Sequence, residues 1–141
     1  MRALIDTCVI IDALQHREPF CQEAEKIFLA VANKQFIGFL TAKSSTDIYY
    51  LTYKCTHNNK KTRCILKNLF ELFVLADTMG LDCRQALYSE ISDFEDAVMI
   101  ESALRIDADC IVTRNIRDYE KSPIKVYSPA EFLEALEEYS S

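Results

Sequence analysis

The stretch that decides the fold is Arg2-Ala3-Leu4-Ile5-Asp6-Thr7-Cys8-Val9-Ile10-Ile11-Asp12. It opens with a short apolar run that ends at an acidic residue, and apolar residues then resume at helical spacing. This pattern predicts a strand over residues 2–5, a turn at Asp6 and a short helix that carries the second apolar run. An acidic side chain therefore stands at the carboxyl end of the first strand.

The rest of the chain repeats this alternation. Short apolar runs predict four more strands, at residues 36–40, 73–76, 110–112 and 124–127. Amphipathic segments lie between and after them. Helices are predicted to start near Pro19, near Thr41 or Ser44, after a polar interruption at residues 55–59, near Met79, at Ser92 or Asp93, and at Ser128-Pro129. Strands that alternate with helices predict an α/β fold with three layers, α/β/α, around a central, mostly parallel five-stranded sheet.

The length and composition suit one domain. The chain has 141 residues, half of them apolar, so we expect residues 1–141 to fold as a single unit. No stretch reaches the roughly 18 apolar residues that span a membrane, and the N-terminus enters the first strand without a signal-peptide pattern. We therefore expect a cytoplasmic protein.

The six cysteines do not indicate a disulfide framework. They form no CxxC pair, and they lie in apolar or helical segments, so we expect small buried hydrophobic residues in a reducing compartment. The sequence contains two histidines, His16 and His57. With so few histidines, the pattern does not favour a Cys/His zinc site.

The charge is unevenly distributed along the chain. The net charge is −6, yet no acidic residue lies between Asp47 and Glu71. That interval contains five of the 16 basic residues, which leaves 11 basic residues against 22 acidic ones elsewhere. The basic residues are Lys54, Lys60, Lys61, Arg63 and Lys67. They fit either a solvated helix face or a path for the phosphates of a nucleic acid, and the absence of acids favours phosphate contacts.

Five acidic or amide residues occupy equivalent places, at the ends of predicted strands or in the first turns of predicted helices. They are Asp6, Asp47, Asp93, Asp96 and Asn115. Because the carboxyl ends of parallel strands line one crevice, we expect these side chains to converge. Converging carboxylates repel one another unless a cation lies between them, and hard oxygen donors favour Mg²⁺ or Mn²⁺ over Zn²⁺.

Structural explanations for the acids remain open at this point. Asp93 fits a helix cap, Asp47 a solvated helix residue, and Asp12 the end of a helix. Asp6 is harder to explain in this way, because a carboxylate directly after a buried strand is costly unless it is paired or bound to metal. Arg114, next to the acidic group, either holds the carboxylates together or contacts a substrate phosphate.

Three stretches together resemble the PIN domain superfamily of metal-dependent ribonucleases, and in particular the toxins of VapBC-type toxin–antitoxin pairs. They are residues 4–12, residues 93–98 with Ala103-Leu104, and residues 111–115 with Asp118-Tyr119. The resemblance spans the whole chain and implies a PIN-like fold. It also implies RNA as substrate, Mg²⁺ or Mn²⁺ as cofactor, an antitoxin protein as partner and a homodimer.

The resemblance assigns roles to individual residues. Asp6, Asp96 and Asp47 take the metal-binding positions, although the family usually has Glu where this chain has Asp47. Asp93 and Asn115 complete the catalytic group, and Asn115 stands where the family often has Asp. The supporting residues are Thr113, Arg114 and Asp118. A metal held by these carboxylates would activate water for phosphodiester hydrolysis, so that no nucleophilic Ser or Cys is needed.

Three alternative functions compete with metal-dependent RNA cleavage. A phosphoacceptor receiver domain, with Asp77 as acceptor, would need an acidic pair after the first strand, where the chain has Asp6-Thr7. A phosphatase with an aspartyl nucleophile would need Asp-x-Asp, which Asp6-Thr7-Cys8 does not supply. The stronger rival is a non-catalytic PIN-like module that binds RNA or protein, because Asp47 and Asn115 depart from the family pattern.

Overall fold

The computed structural model describes residues 1–140, which form five strands and seven α-helices. The strands are β1 (Arg2–Ile5), β2 (Ile37–Thr41), β3 (Val74–Ala76), β4 (Cys110–Val112) and β5 (Lys125–Tyr127). The helices are α1 (Thr7–Leu14), α2 (Cys21–Ala32), α3 (Ala42–Thr56), α4 (Asn59–Leu72), α5 (Gly80–Ala86), α6 (Phe94–Arg105) and α7 (Pro129–Ser140). A short 3-10 helix, Ile116–Tyr119, follows β4.

The five strands are all parallel and lie in the order β3-β2-β1-β4-β5. The chain runs outward from β1 through β2 to β3, and then returns to the other side of β1 with β4 and β5. The strand order therefore reverses between β1 and β4, which is where open α/β sheets form a crevice beyond the strand ends. The three-layer α/β/α fold with its five-stranded sheet is confirmed, and the sheet is entirely rather than mostly parallel.

The central strand supplies both faces of the core. Ala3 and Ile5 belong to a cluster with apolar residues of α1, α2, α3, α4 and α7, whereas Leu4 packs into a second cluster with α5 and α6. All three side chains are fully buried. This is why the run reads as continuously apolar, since a parallel strand covered on both faces has no polar side.

Most helix starts follow from capping side chains. Thr41 accepts a hydrogen bond from the Ser44 N–H, and Asn58 accepts one from the Lys61 N–H. The Asn58 cap starts α4 at Asn59, at the end of the polar interruption that the sequence shows at residues 55–59. Helix α2 differs from the prediction, because it begins at Cys21 and Pro19 lies in the preceding turn.

The expectation that the cysteines are buried is wrong for half of them. Cys21 and Cys110 are buried and Cys8 is half-buried, but Cys55, Cys64 and Cys83 are exposed; all six are free. The exposed three lie on α3, α4 and α5 among polar residues that face solvent. Within the described part of the chain, no helix is long and apolar enough to cross a membrane.

Gly38 in β2 marks a close approach between the sheet and Phe73. A Cβ atom at Gly38 would lie 2.7 Å from the nearest ring carbon of Phe73, which is 1% exposed and has no room to move. We expect Gly38→Ala to lower the free energy of unfolding by about 1–3 kcal/mol through overpacking. Urea denaturation measures this change.

Gly80 provides the matched control for that substitution. It opens α5, and a Cβ atom there would meet nothing within 4 Å. Gly80→Ala should leave stability unchanged or raise it slightly, because alanine favours a helix. Equal effects of the two substitutions would contradict the packing explanation for Gly38.

Candidate functional site

Asp6 lies where the strand order reverses. Its backbone N–H donates to the Val112 carbonyl at 2.9 Å, which continues the pairing of β1 with β4 by one residue. Its carboxylate Oδ2 accepts a hydrogen bond from Thr113 Oγ1 at 2.7 Å and a weaker one from the Cys8 thiol at 3.5 Å. Thr113 is fully buried and thus fixes the direction of the Asp6 side chain.

Asp96 enters the same crevice from the first turn of α6. Its Oδ1 accepts a hydrogen bond from the Tyr119 hydroxyl at 2.9 Å, and its backbone N–H donates to Asp93, which caps the helix. Burial, with the negative charges of Asp93, Asp6 and Asp118, raises the Asp96 pKa to about 6, although the Tyr119 hydrogen bond opposes this shift. The charges of three acids from different parts of the chain therefore all act on the Asp96 carboxyl group.

The buried side chain of Tyr119 lies close to both Asp6 and Asp96. Burial and then the charges of Asp6 and Asp96 raise its pKa far above the usual range, so that the hydroxyl stays protonated and donates to Asp96. The hydroxyl of Tyr119 therefore lies close to both carboxylates, bonded to Asp96 and within reach of the Asp6 charge. The sequence motif contained Tyr119, but its contact with Asp96 was not predicted.

The chemistry of this acidic group fits a divalent cation. Within residues 1–140, neither Asp6, Asp93, Asp96 nor Asp118 forms a salt bridge. Their hydrogen bonds also leave one carboxylate oxygen of Asp6 (Oδ1) and one of Asp96 (Oδ2) free to bind an ion. The carboxylates are more widely spaced than those of an assembled metal site, because no three of these residues, each contributing one oxygen, have those oxygens within 4.8 Å of one another. A cation would draw them together.

Asp47 is placed differently from the other predicted ligands. Its carboxylate accepts a hydrogen bond from Lys43 Nζ at 2.7 Å, and the same ammonium group lies 3.0 Å from Glu95 in the first turn of α6. Lys43 thus links α3 to α6 one residue from Asp96 and neutralises Asp47 there. Its pKa is raised because the hydrogen bonds to Asp47 and Glu95 outweigh the opposing effect of burial. Neither Lys43 nor Glu95 was predicted; the i, i+4 spacing of Lys43 and Asp47 is the available sequence signal.

Arg114 holds a carboxylate outside the predicted metal set. Its guanidinium donates to both oxygens of Asp12, at 2.6 and 3.3 Å, and lies 4.0 Å from the centre of the Phe20 ring. Asp12 is 1% exposed and lies in the last turn of α1, and its pairing with Arg114 gives it a role beyond ending the helix. The pair ties the segment after β4 to α1.

The remaining predicted residues lie at the rim. The Asn115 backbone N–H donates to Thr113 Oγ1, while its side chain is exposed, and the Asp118 N–H donates to the Asn115 carbonyl. Cys8 lies beside Asp6, where burial and the Asp6 charge raise its thiol pKa to about 11. A thiol that stays protonated at neutral pH is a poor nucleophile, in line with its predicted structural role.

The sequence matches the PIN domain family over residues 2–117. The chain belongs to the PIN domain family. No curated protein matches it in sequence. The family membership and the fold agree with the resemblance found in the three acidic stretches.

Solved structures with the same fold come from toxin–antitoxin complexes. VapBC-1 from nontypeable Haemophilus influenzae has a TM-score of 0.67 at 13% identity, covering 92% of this chain and 99% of that one. VapBC2 from Rickettsia felis, bound to a DNA fragment from its promoter, has a TM-score of 0.65 at 14% identity, with 91% and 98% covered. A toxin–antitoxin complex from Klebsiella pneumoniae has a TM-score of 0.64 at 23% identity, with 90% and 97% covered. At these identities the likeness establishes the fold of this PIN domain.

The four basic residues of this PIN domain that are predicted to contact phosphates lie away from the start of α3. Lys54 is near the carboxyl end of α3, and Lys60, Lys61 and Arg63 lie in the first two turns of α4. All four are exposed. Lys54 is seven residues beyond Asp47, roughly 10 Å along the helix axis. Contact with RNA phosphates at this hairpin would therefore involve nucleotides some distance from the crevice.

The raised Asp96 pKa predicts a pH-dependent stability. The folded-state pKa is about 6 against an ordinary value of 3.8, so the folded PIN domain binds this proton more tightly than the unfolded chain does. Ionised Asp96 therefore destabilises the metal-free fold above about pH 6, and this cost disappears as the pH falls toward 3.8. We expect Asp96→Asn to raise the free energy of unfolding in EDTA at neutral pH by about 1 kcal/mol, since solvent screens part of the effect.

The measurement is urea unfolding of both proteins with EDTA, at neutral pH and at about pH 4.5. The difference between them should shrink at the lower pH, where Asp96 is protonated. Glu134→Gln, an exposed acid on α7, is the control and should change nothing. A stabilisation by Asp96→Asn that is equal at both pH values would contradict the charge-repulsion explanation.

Proposed function

We propose that this PIN domain is a metal-dependent endoribonuclease and the toxin of a toxin–antitoxin pair. The observation that carries the proposal is the convergence of Asp6 and Asp96 beyond β1 and β4, with Asp93 and Asp118 close enough to raise the Asp96 pKa. In residues 1–140, no basic side chain forms a salt bridge with any of these four acids. Membership of the PIN domain family supports nuclease chemistry. The toxin–antitoxin complexes with the same fold support the biological role.

Each residue of the acidic crevice has its own proposed role. Asp6 and Asp96 hold the ion through their free oxygens, and Thr113 and Tyr119 fix the orientation of these two carboxylates. Asp93 orients a water molecule, and Asn115 adds an amide oxygen at the rim. A bound Mg²⁺ or Mn²⁺ supplies an activated water and neutralises charge on the phosphoryl oxygens. Asp47 would join this group by binding the ion in place of Lys43. The Lys43 ammonium group would then be available to contact a substrate phosphate.

The proposed partners follow from the same assignment. RNA is the substrate, and Lys54, Lys60, Lys61 and Arg63 contact its phosphates beyond the crevice. A cognate antitoxin covers the crevice, and the chain forms a homodimer, as the family resemblance implies. The enzyme meets its RNA in the cytoplasm.

The test is incubation of the purified protein with structured and unstructured RNA in Mn²⁺. Cleavage within the RNA is expected in Mn²⁺ and not in EDTA, and a 3′-end-labelled substrate distinguishes internal cutting from trimming. RNA that stays intact under both conditions would overturn the proposed activity. A contaminating nuclease is excluded if Asp6→Asn, prepared in the same way, is inactive.

A non-catalytic PIN-like module is the second candidate. The ion pair between Lys43 and Asp47 and the neutral Asn115 favour it, because both reduce the negative charge available to a metal. Thermal unfolding with Mn²⁺ separates the candidates. A catalytic domain gains stability from the ion, whereas a domain that has lost its metal site does not.

A further inference from the structure

The turn between α1 and α2 brings together three side chains of different ligand chemistry. His16, Glu18 and Cys21 each offer one ligand atom, and these atoms all lie within 4.8 Å of one another. Within residues 1–140 this is the one group of three acidic, histidine or cysteine ligands that meets this spacing. The group is separate from the acidic crevice and was not expected from the sequence, in which the scarcity of histidine does not favour a Cys/His zinc site.

The imidazole of His16 is already oriented as a ligand. Its Nδ1 is 2.6 Å from Glu25 Oε1, and its Nε2 faces Glu18 with 3.8 Å between Nε2 and Oε1. In metal proteins a carboxylate that holds one ring nitrogen typically leaves the other nitrogen to the ion. Ligand atoms of a tetrahedral zinc ion, with bonds of about 2.0–2.3 Å, lie roughly 3.5 Å apart. The distance from His16 to Glu18 is close to that value.

We propose that His16, Glu18 and Cys21 form a transition-metal site suited to Zn²⁺, with Glu25 orienting His16. One nitrogen, one oxygen and one sulfur ligand are a set that zinc accepts and that Mg²⁺ and Mn²⁺ disfavour, because these prefer oxygen donors. The His16 and Glu18 side chains are 68% and 67% exposed, so an ion can enter from solvent. Cys21 is fully buried and closes the inner side of the site.

An ion at this place would fix the turn that carries Phe20. The Phe20 ring lies on the Arg114 guanidinium, which is held by Asp12 and directly follows Thr113 of the acidic crevice. The zinc site therefore secures the α1–α2 turn against the segment after β4. This inference does not depend on the proposed nuclease activity.

Cobalt absorption tests the site directly. Titration of the reduced protein with Co²⁺, in excess Mg²⁺ to occupy the acidic crevice, should produce a thiolate-to-cobalt charge-transfer band that saturates at one ion per chain and disappears on addition of Zn²⁺. Cys21→Ser should abolish the band, and His16→Ala should weaken Co²⁺ binding. Glu25→Gln should weaken it about 10-fold or more, as loss of an orienting carboxylate does.

Matched controls exclude metal bound elsewhere. Cys64→Ser and His57→Ala remove an exposed cysteine and the other histidine, and neither should change the band. If Cys21→Ser does not fold, His16→Ala decides, because this side chain is exposed and contributes no core packing. Absence of a band, or a band that survives His16→Ala, would overturn the proposal.

Thermal unfolding then separates this site from the acidic one. Stabilisation by Zn²⁺ should persist in Asp96→Asn and be lost in His16→Ala, whereas stabilisation by Mn²⁺ should show the opposite pattern. Loss of both in the same variant would show one shared site and contradict the inference. Absence of Mn²⁺ stabilisation in the unmodified protein, with Zn²⁺ stabilisation present, would count against the proposed function and leave the zinc site intact.

Discussion

We expect Asp6→Asn to reduce Mn²⁺-dependent RNA cleavage by about 100- to 1,000-fold, the range seen when one charge-stabilising group is removed from an active site. Asparagine keeps nearly the same shape, so the Val112 and Thr113 contacts of this position need not be lost. The substitution removes the negative charge of the Asp6 carboxylate, whose Oδ1 we assign to the ion. The measurement is initial cleavage rate at saturating RNA, over a range of Mn²⁺ concentrations.

The control for Asp6→Asn is Glu134→Gln, which removes a charge from the exposed surface of α7. Its cleavage rate should equal that of the unmodified protein. Unfolding in EDTA should show that Asp6→Asn is folded, so that lost activity reflects lost chemistry. Activity within a few-fold of the unmodified protein would show that Asp6 does not hold a catalytic ion.

Arg114→Ala is expected to lower the free energy of unfolding by about 2–3 kcal/mol, because it leaves the buried Asp12 carboxylate without its counter-ion. The Arg114 side chain is 26% exposed, whereas that of Asp12 is 1% exposed, so most of the cost falls on Asp12. Loss of the contact with Phe20 adds to the effect. Urea denaturation at neutral pH gives the change in the free energy of unfolding.

A second substitution identifies the cause of that loss. Asp12→Asn in the Arg114→Ala background removes the unpaired charge and should recover part of the stability, which a double-mutant cycle quantifies. Arg117→Ala, an exposed arginine three residues further on, should change stability by less than about 0.5 kcal/mol. If the double variant is no more stable than Arg114→Ala, the buried charge is not the source of the effect.

The strands and the position of the crevice were predictable because they depend on local patterns. A strand buried on both faces is a continuous apolar run, and β1 to β5 begin and end within one residue of the predicted runs. The positions of the acids at strand ends and helix starts were predicted from the same division of the chain into strands and helices. The start of α2 differs from the prediction because Pro19 fits the first turn of a helix, whereas here it lies in the turn before Cys21.

The contacts that shape the site were harder to predict from the sequence. Asp12 and Arg114 lie 102 residues apart, so no local pattern pairs them. The spacing of Lys43 and Asp47 allowed an ion pair within α3, but only the fold shows that Glu95 of α6 joins it. His16, Glu18 and Cys21 are close in sequence, but their spacing matches no familiar zinc motif, and the turn geometry brings their ligand atoms together.

A crystal grown with Mn²⁺ tests the central claim most directly, since anomalous scattering at the manganese edge locates the ion without ambiguity. We predict a peak beyond β1 and β4, within about 2.5 Å of one carboxylate oxygen of Asp6 and one of Asp96. A peak elsewhere, or no peak while these two carboxylates point into separate regions, would contradict the account.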